Sequence, residues 1–165
     1  MFSRLEIVEA NLLDADSLAR AIAGATYVVH TASPFVLTPP RNADDLVRPA
    51  VDGTMAVCRA CFANKVKRLV ITSSCAAIYD VRPADRKAVY TEEDWSNTAH
   101  QEEVGGYYAL SKTLAERSAW NYQQQLPEKE RFELVTINPS LIVGKPLHIH
   151  GGFASAELIT KLFTG

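Results

Sequence analysis

The sequence predicts an α/β chain built on a doubly wound parallel sheet. Two observations carry that expectation. Short apolar, β-branched runs at Tyr27 to His30, Arg68 to Ser73 and Phe132 to Ile137 alternate with longer stretches of helical patterning, the arrangement that produces parallel strands joined by crossover helices. Each run also stops at small or polar residues, Thr31-Ala32-Ser33-Pro34, Ser73-Ser74 and Asn138-Pro139-Ser140. The carboxyl ends of parallel strands are where such sheets collect their ligands.

The bulk properties narrow the class. With 165 residues and 47% hydrophobic content, the chain can bury one sizeable core but not two. A net charge of -2 with interspersed signs offers no basic stripe for nucleic acid. No run approaches the ~18 apolar residues of a membrane span, and MFSRLEIVEA does not read as a secretory leader, so a cytoplasmic protein without a membrane partner is expected. Three cysteines, an odd number, do not suggest a disulfide framework. Cys58-x-x-Cys61 falls within a periodic apolar pattern and reads as core packing. His148 and His150 stand two apart without further ligands nearby, so no metal is expected.

The elements follow in order. Residues 4 to 9 alternate apolar and charged side chains, predicting a strand near a sheet edge. Asp14 to Ala23 predicts a short helix with an acidic start and a stop at Gly24. Phe35 to Asn42 is loop, because Pro39-Pro40 forbids regular structure. Pro49 suits a first helical turn, so the next long helix is expected from there to Ala63. Arg68 to Ser73 and Phe132 to Ile137 are expected as buried strands, the second halted by Pro139. Ile78 to Gly106 reads as a long irregular insert, either a substrate-covering loop or a solvated surface loop. After Gly151-Gly152, Ala156 to Leu162 predicts a short amphipathic helix.

Chemistry concentrates in Gly105 to Gln125, one long predicted helix. Tyr108 and Lys112 are four residues apart, so a helix stacks the phenol and the ammonium on one face. A neighbouring cation is expected to draw the phenol's pKa down from ~10 toward the working pH, as a tyrosine general acid/base requires. With six tyrosines in the chain a chance Tyr-x-x-x-Lys is not rare. The pair gains meaning from Ser73 and Ser74 at one strand end and Asn138-Pro139-Ser140 at another.

This Ser, Tyr, Lys set resembles the short-chain dehydrogenase/reductases, in the extended branch that includes dihydroflavonol reductases and cinnamoyl-CoA reductases. The resemblance runs from Asn11-Leu12 through His30-Thr31-Ala32-Ser33-Pro34, Ile71-Thr72-Ser73-Ser74, Tyr108 to Glu116 and Asn138 to Gly144, into Lys161 to Gly165. It implies a partial NAD(P)-binding Rossmann-like domain over 1–165, with a substrate-binding region starting near 145–165. It further implies NADPH, with NAD as the alternative, as hydride donor to the carbonyl of a small or aromatic aldehyde or ketone. By resemblance, Tyr108 gives the proton, Ser74 holds the carbonyl oxygen, and Lys112 tunes Tyr108 and bonds the nicotinamide ribose. Cofactor contacts are implied at Asn11 and Leu12 by the adenine, along Thr31, Ala32, Ser33 and Thr72, at Tyr108 and Lys112, at Pro139 and Ile142 flanking the nicotinamide, and at Ser155.

Several positions depart from the family's pattern. Asn11 replaces the usual aspartate, though its amide oxygen can still accept a hydrogen bond. Ala50 stands where the family often has asparagine in Asn-Val-x-Gly-Thr. Tyr79 stands where dihydroflavonol reductases carry Asn or Asp, and Tyr107 where cinnamoyl-CoA reductases carry Trp. None of the eight glycines forms the G-x-G-x-x-G phosphate fingerprint. The expected sheet is therefore incomplete, with its first two strands missing, residues 4 to 9 without a neighbour and residues 26 to 30 on an unpaired edge. The segment alone is expected to be inactive. A sugar-nucleotide epimerase and a non-catalytic dinucleotide-binding regulatory module are the other readings. A small-molecule carbonyl substrate is the expected partner, and a homodimer is left open.

Overall fold

The computed structural model describes residues 5–34, 40, 42–144 and 159–163. Among these, β1 (Tyr27–His30), β2 (Arg68–Thr72) and β3 (Glu133–Ile137) form one parallel sheet in the order β1-β2-β3. His30 pairs with Ile71, and Thr72 with Ile137, so the three carboxyl ends finish side by side. The helices are α1 (Ala15–Ile22), α2 (Asp44–Ala63), α3 (Ala76–Tyr79), α4 (Thr98–Glu103) and α5 (Tyr107–Gln125).

Local chemistry sets the boundaries. Asp14 caps α1 by accepting from the backbone N–H of Asp16 at 3.0 Å and Ser17 at 3.1 Å, and Gly24 at φ +77° turns the chain out of it. The start of α2 corrects the expectation from Pro49. Asn42 Oδ1 accepts from the N–H of Asp45, and Asp44 and Asp45 complement the helix dipole, so the helix already begins at Asp44 and Pro49 lies inside it. The pyrrolidine removes one N–H from the second turn, and the capped first turn carries it.

Helices α1, α2 and α5 cover one face of the sheet. Leu69, wholly buried at the centre of β2, and Ile71 meet Val57, Cys58 and Cys61 of α2, Leu18 and Ile22 of α1, Ala119 of α5 and Leu134 of β3. Cys58 and Cys61 are free thiols, pushed up to about 12, burial being the largest cause for each. They are packing groups in the thiol form. On the opposite face Tyr27, Val29 and Ile137 are exposed among the described residues. That corrects the expectation of a fully buried third strand: in β3 only Leu134 is buried, because nothing described covers its other face.

Two further expectations change. Residues 5 to 10 form no strand, and Ile7 is 88% exposed. A strand is stable only when its N–H and C=O groups find a neighbour, and no described strand lies beside this one. The stretch from Ile78 to Gly106 is not irregular throughout. It holds a 3-10 turn, Pro83–Asp85, and α4, which Asn97 caps by accepting from His100 N–H at 3.0 Å. Buried Gln101 ties α4 to Thr113 of α5 at 3.3 Å, and Arg117 of α5 stacks on Trp95 at 5.1 Å. Residues 159–163 are described, and 159–163 are helical, within the predicted short helix and one residue past its end. Gly151-Gly152 and residues 156–158 lie outside the described residues.

Leu69→Ala should cost about 2–5 kcal/mol, because the hole would open at the sheet's centre, where α2 and α5 cannot both close in. Urea unfolding checks this through a lower midpoint at unchanged slope.

Candidate active site

Helix α5 sets Tyr108, Lys112 and Glu116 on one stripe, at successive four-residue steps. Burial rises along it: Tyr108 is 38% exposed, Lys112 9% and Glu116 6%. Lys112 Nζ lies 5.9 Å from the centroid of the Tyr108 ring, a cation facing an aromatic surface. Small residues, Ala109, Ser111, Ala115 and Ala119, are buried beside the stripe and let the helix lie close to its neighbours.

The strand tips meet this stripe. Beyond β2 and β3 the ladder continues as Ser73 N–H to Ile137 O at 2.8 Å and Cys75 N–H to Pro139 O at 2.9 Å. Pro139 has no N–H to give. The side-chain amide of Asn138 donates instead, to the Ser74 carbonyl at 3.1 Å and to Glu116 Oε2 at 2.8 Å. Ser74 Oγ accepts from Ala76 N–H at 3.1 Å and so orders the start of α3. Ser73 Oγ is buried without a hydrogen-bond partner among the described residues.

The electrostatics follow from how far each group is buried. Burial draws the Lys112 ammonium below its ordinary pKa, and the Glu116 carboxylate opposes that shift. At the tip of β1, His30 is lowered to about 4, first by burial and then by the charge of Lys112. It is therefore a neutral imidazole near pH 7. Burial raises the Tyr79 phenol, with smaller contributions from Cys75, Asp80 and Tyr108, and its ring meets Tyr90 edge-on at 6.5 Å.

The positions singled out in the sequence fall in three groups. Ser74, Tyr108 and Lys112 belong to the joined strand tips and α5, where Asn138 links the Ser74 backbone to the Glu116 turn. Thr31 and Ala32 are exposed just past β1, Ser33 and Pro139 are half-buried past their strands, Thr72 is half-buried as the last residue of β2, and Ile142 is exposed. Asn11 and Leu12 stand just ahead of α1. Asn11 Oδ1 accepts from Leu13 N–H at 2.9 Å, and a Cβ on Gly53 of α2 would lie 3.3 Å from that of Leu12. Ser155, His148 and His150 lie outside the described residues. Among those described, no three His, Cys, Asp or Glu side chains gather as a metal site, and no helix is long and apolar enough to cross a membrane. Sequence reasoning assigned no role to Glu116 or His30. Glu116 was detectable as the next step of the Tyr108–Lys112 spacing, whereas the burial of His30 had no sequence signal.

A parallel sheet whose strand tips meet a Tyr-x-x-x-Lys helix has the architecture of the nucleotide-binding α/β proteins. The model of the 3-beta hydroxysteroid dehydrogenase/isomerase family matches residues 2–156. The chain belongs to that family, in the dihydroflavonol and cinnamoyl-CoA reductase-like branch of the extended short-chain dehydrogenase/reductases. Tetraketide alpha-pyrone reductase 1 of Arabidopsis thaliana is 40% identical over 146 residues, which are 87% of this chain and 43% of that one. Cinnamoyl-CoA reductase 2 of the same plant is 37% identical over 162 residues, 98% of this chain and 46% of that one. The chain thus spans somewhat under half the length of these curated relatives. Among solved structures, yeast methylglyoxal/isovaleraldehyde reductase Gre2 complexed with NADPH superposes with a TM-score of 0.77 at 27% identity, over 96% of this chain and 51% of that one. Gre2 of Candida albicans, also with NADPH, gives 0.76 at 31% identity, over 94% and 49%. The UDP-glucose 4-epimerase of Thermus thermophilus, with NAD, shares the fold with a TM-score of 0.66 at 23% identity, over 91% and 45%.

The buried His30 links folding to pH. Its folded pKa of about 4 lies below its unfolded value of 6.5, so the unfolded chain binds more protons between those limits. The stability from keeping it neutral is complete above about pH 6.5 and is lost as pH falls toward 4, by about 3 kcal/mol at most. Urea unfolding from pH 7 to 4 should show a shallower loss in His30→Phe than in the wild type, leaving only the slope from the carboxylates.

Proposed function

We propose that the chain is the catalytic-side portion of an NADPH-dependent short-chain reductase that acts on the carbonyl of a small or aromatic aldehyde or ketone. The observation that carries this reading is the Asn138 bridge, which ties the Ser74 strand tip to the helix of Tyr108 and Lys112. Relatives named as reductases, and NADPH in the Gre2 complexes, support it.

The donor set suits a nicotinamide nucleotide: an amine and a phenol on α5, and serine hydroxyls just past β2, whose tip Asn138 links to that helix. Lys112 and Tyr108 would hold the ribose side, with Pro139 and Ile142 flanking the ring. Thr31, Ala32, Ser33, Thr72 and Ser155 would lie along the cofactor, and Asn11 and Leu12 by the adenine. No G-x-G-x-x-G lies within the 165 residues, so the fit concerns these contacts and not the pyrophosphate cradle. When bound, the nicotinamide supplies hydride to the carbonyl carbon.

The chain's own residues supply the rest. The Ser74 hydroxyl donates to the carbonyl oxygen and aligns it. Tyr108 passes its proton to that oxygen as negative charge develops there. The Lys112 ammonium, facing the ring, stabilises the charge left behind. A small-molecule substrate in a cytoplasmic enzyme completes the reading.

In the intact gene product, Tyr108→Phe should lower kcat by about 10²–10⁴-fold while NADPH affinity stays nearly unchanged. NADPH oxidation with an aromatic aldehyde, beside a fluorescence titration of the cofactor, reads both. Wild-type turnover in that variant would remove Tyr108 from the reaction and the reading with it.

A further inference from the structure

We propose that Glu116 and Asn138 are a positioning pair that keeps Lys112 and the Ser74 strand tip in register with Tyr108. The inference rests on the reductase reading of the same site.

Glu116 is a carboxylate in a setting where carboxylates are rare. It is almost wholly buried, one turn beyond the buried Lys112. A buried charge is costly unless it is both paired and hydrogen-bonded. Both Glu116 oxygens are engaged. Oε2 accepts from Asn138 Nδ2 at 2.8 Å, and Oε1 from Trp120 Nε1 at 3.4 Å. These two donors are neutral, so they fix the carboxylate without cancelling its charge. Its field acts on the ammonium one turn away, opposing the burial that favours neutral Lys112.

The other end of the link is equally specific. Asn138 also donates to the carbonyl of Ser74, 64 positions away in sequence, at a point where Pro139 can give no backbone N–H. One side chain therefore ties the residue proposed to hold the substrate oxygen to the carboxylate behind the proposed cation. A glutamate serving only to fill space would be matched by a methionine or leucine of similar volume. Glu116 uses both acceptors, and its charge acts on Lys112.

The ionisable groups around Lys112 leave Glu116 as its counter-charge among the described residues. His30 faces it from β1 and is neutral above about pH 4. Tyr108 faces it from α5 itself. Beside α3, Tyr79 interacts with Cys75, Asp80 and Tyr108, and α4, packed against α5, carries half-buried His100 and exposed Glu102 and Glu103. The charged residues of α2 that follow Pro49, Asp52 and Arg59, are exposed. The tips of β2 and β3 present Ser73, Ser74 and Asn138, which carry no charge.

The test is Glu116→Gln in the intact gene product, with Glu116→Asp beside it. Lys112 is followed by ¹³C NMR after reductive methylation with labelled formaldehyde, Lys112→Arg identifying its resonance. The expected result is a Lys112 titration midpoint at lower pH in Glu116→Gln, restored toward wild type in Glu116→Asp. In NADPH-dependent aldehyde reduction, kcat should fall about tenfold or more in Glu116→Gln with KM little changed, and recover in Glu116→Asp. An unmoved Lys112 midpoint in a folded Glu116→Gln protein overturns the inference, as does unchanged kcat. Should the wild type reduce no aldehyde or ketone at all, the reductase reading fails by itself, and the NMR titration still decides whether Glu116 governs Lys112.

Discussion

An ammonium held out of water is the constraint on which the site depends. Lys112 is nine-tenths buried on a helix pressed against a sheet, and burial of that kind favours the uncharged amine. Whatever keeps it useful must come from close by, since a charge in a dry setting feels its neighbours far more strongly than one in water. The Tyr108 ring on one side and the Glu116 carboxylate on the other are those neighbours. The helix supplies all three because four residues make just over one turn. The long element that looks like a structural strut thus also carries these three side chains along one face.

The sheet contributes position. Parallel pairing brings three strand ends to one edge, and the side chain of Asn138 extends the linkage where proline ends the backbone ladder. The core beneath is built from Leu69, Ile71, Leu134 and the small faces of α2 and α5, so the edge rests on a rigid layer. Its other face, with Tyr27, Val29 and Ile137 in the open, bears none of the residues that form the linkage.

Much of this was legible in the sequence, and the exceptions have physical causes. Tyr27 to His30 read as a strand because β-branched residues and a tyrosine stand together between turn residues, and the structure has that strand with the same limits. The Tyr108–Lys112 pairing needed only helical periodicity. Alternation misled at residues 5 to 9, where a valid strand pattern has no described neighbour to pair with. At Pro49 a rule about first turns yielded to a better cap, Asn42, several residues earlier. Asn138 and Glu116 are 22 positions apart, and their contact exists only once β3 and α5 have packed. Local patterns carry no record of such a meeting. His30 reads as the last residue of an apolar run, and only the packed structure gives it a lysine for a neighbour.

The central claim is that these groups serve hydride transfer to a carbonyl. The most direct measurement follows the hydrogen itself: the intact gene product is given NADPH dideuterated at C4 and an aromatic aldehyde, and the product is examined by mass spectrometry and NMR. The account predicts one deuterium on the new carbinol carbon, with the cofactor oxidised in equal amount. Epimerisation of a UDP-sugar without net consumption of NADPH, and no deuterium in any alcohol, would contradict it.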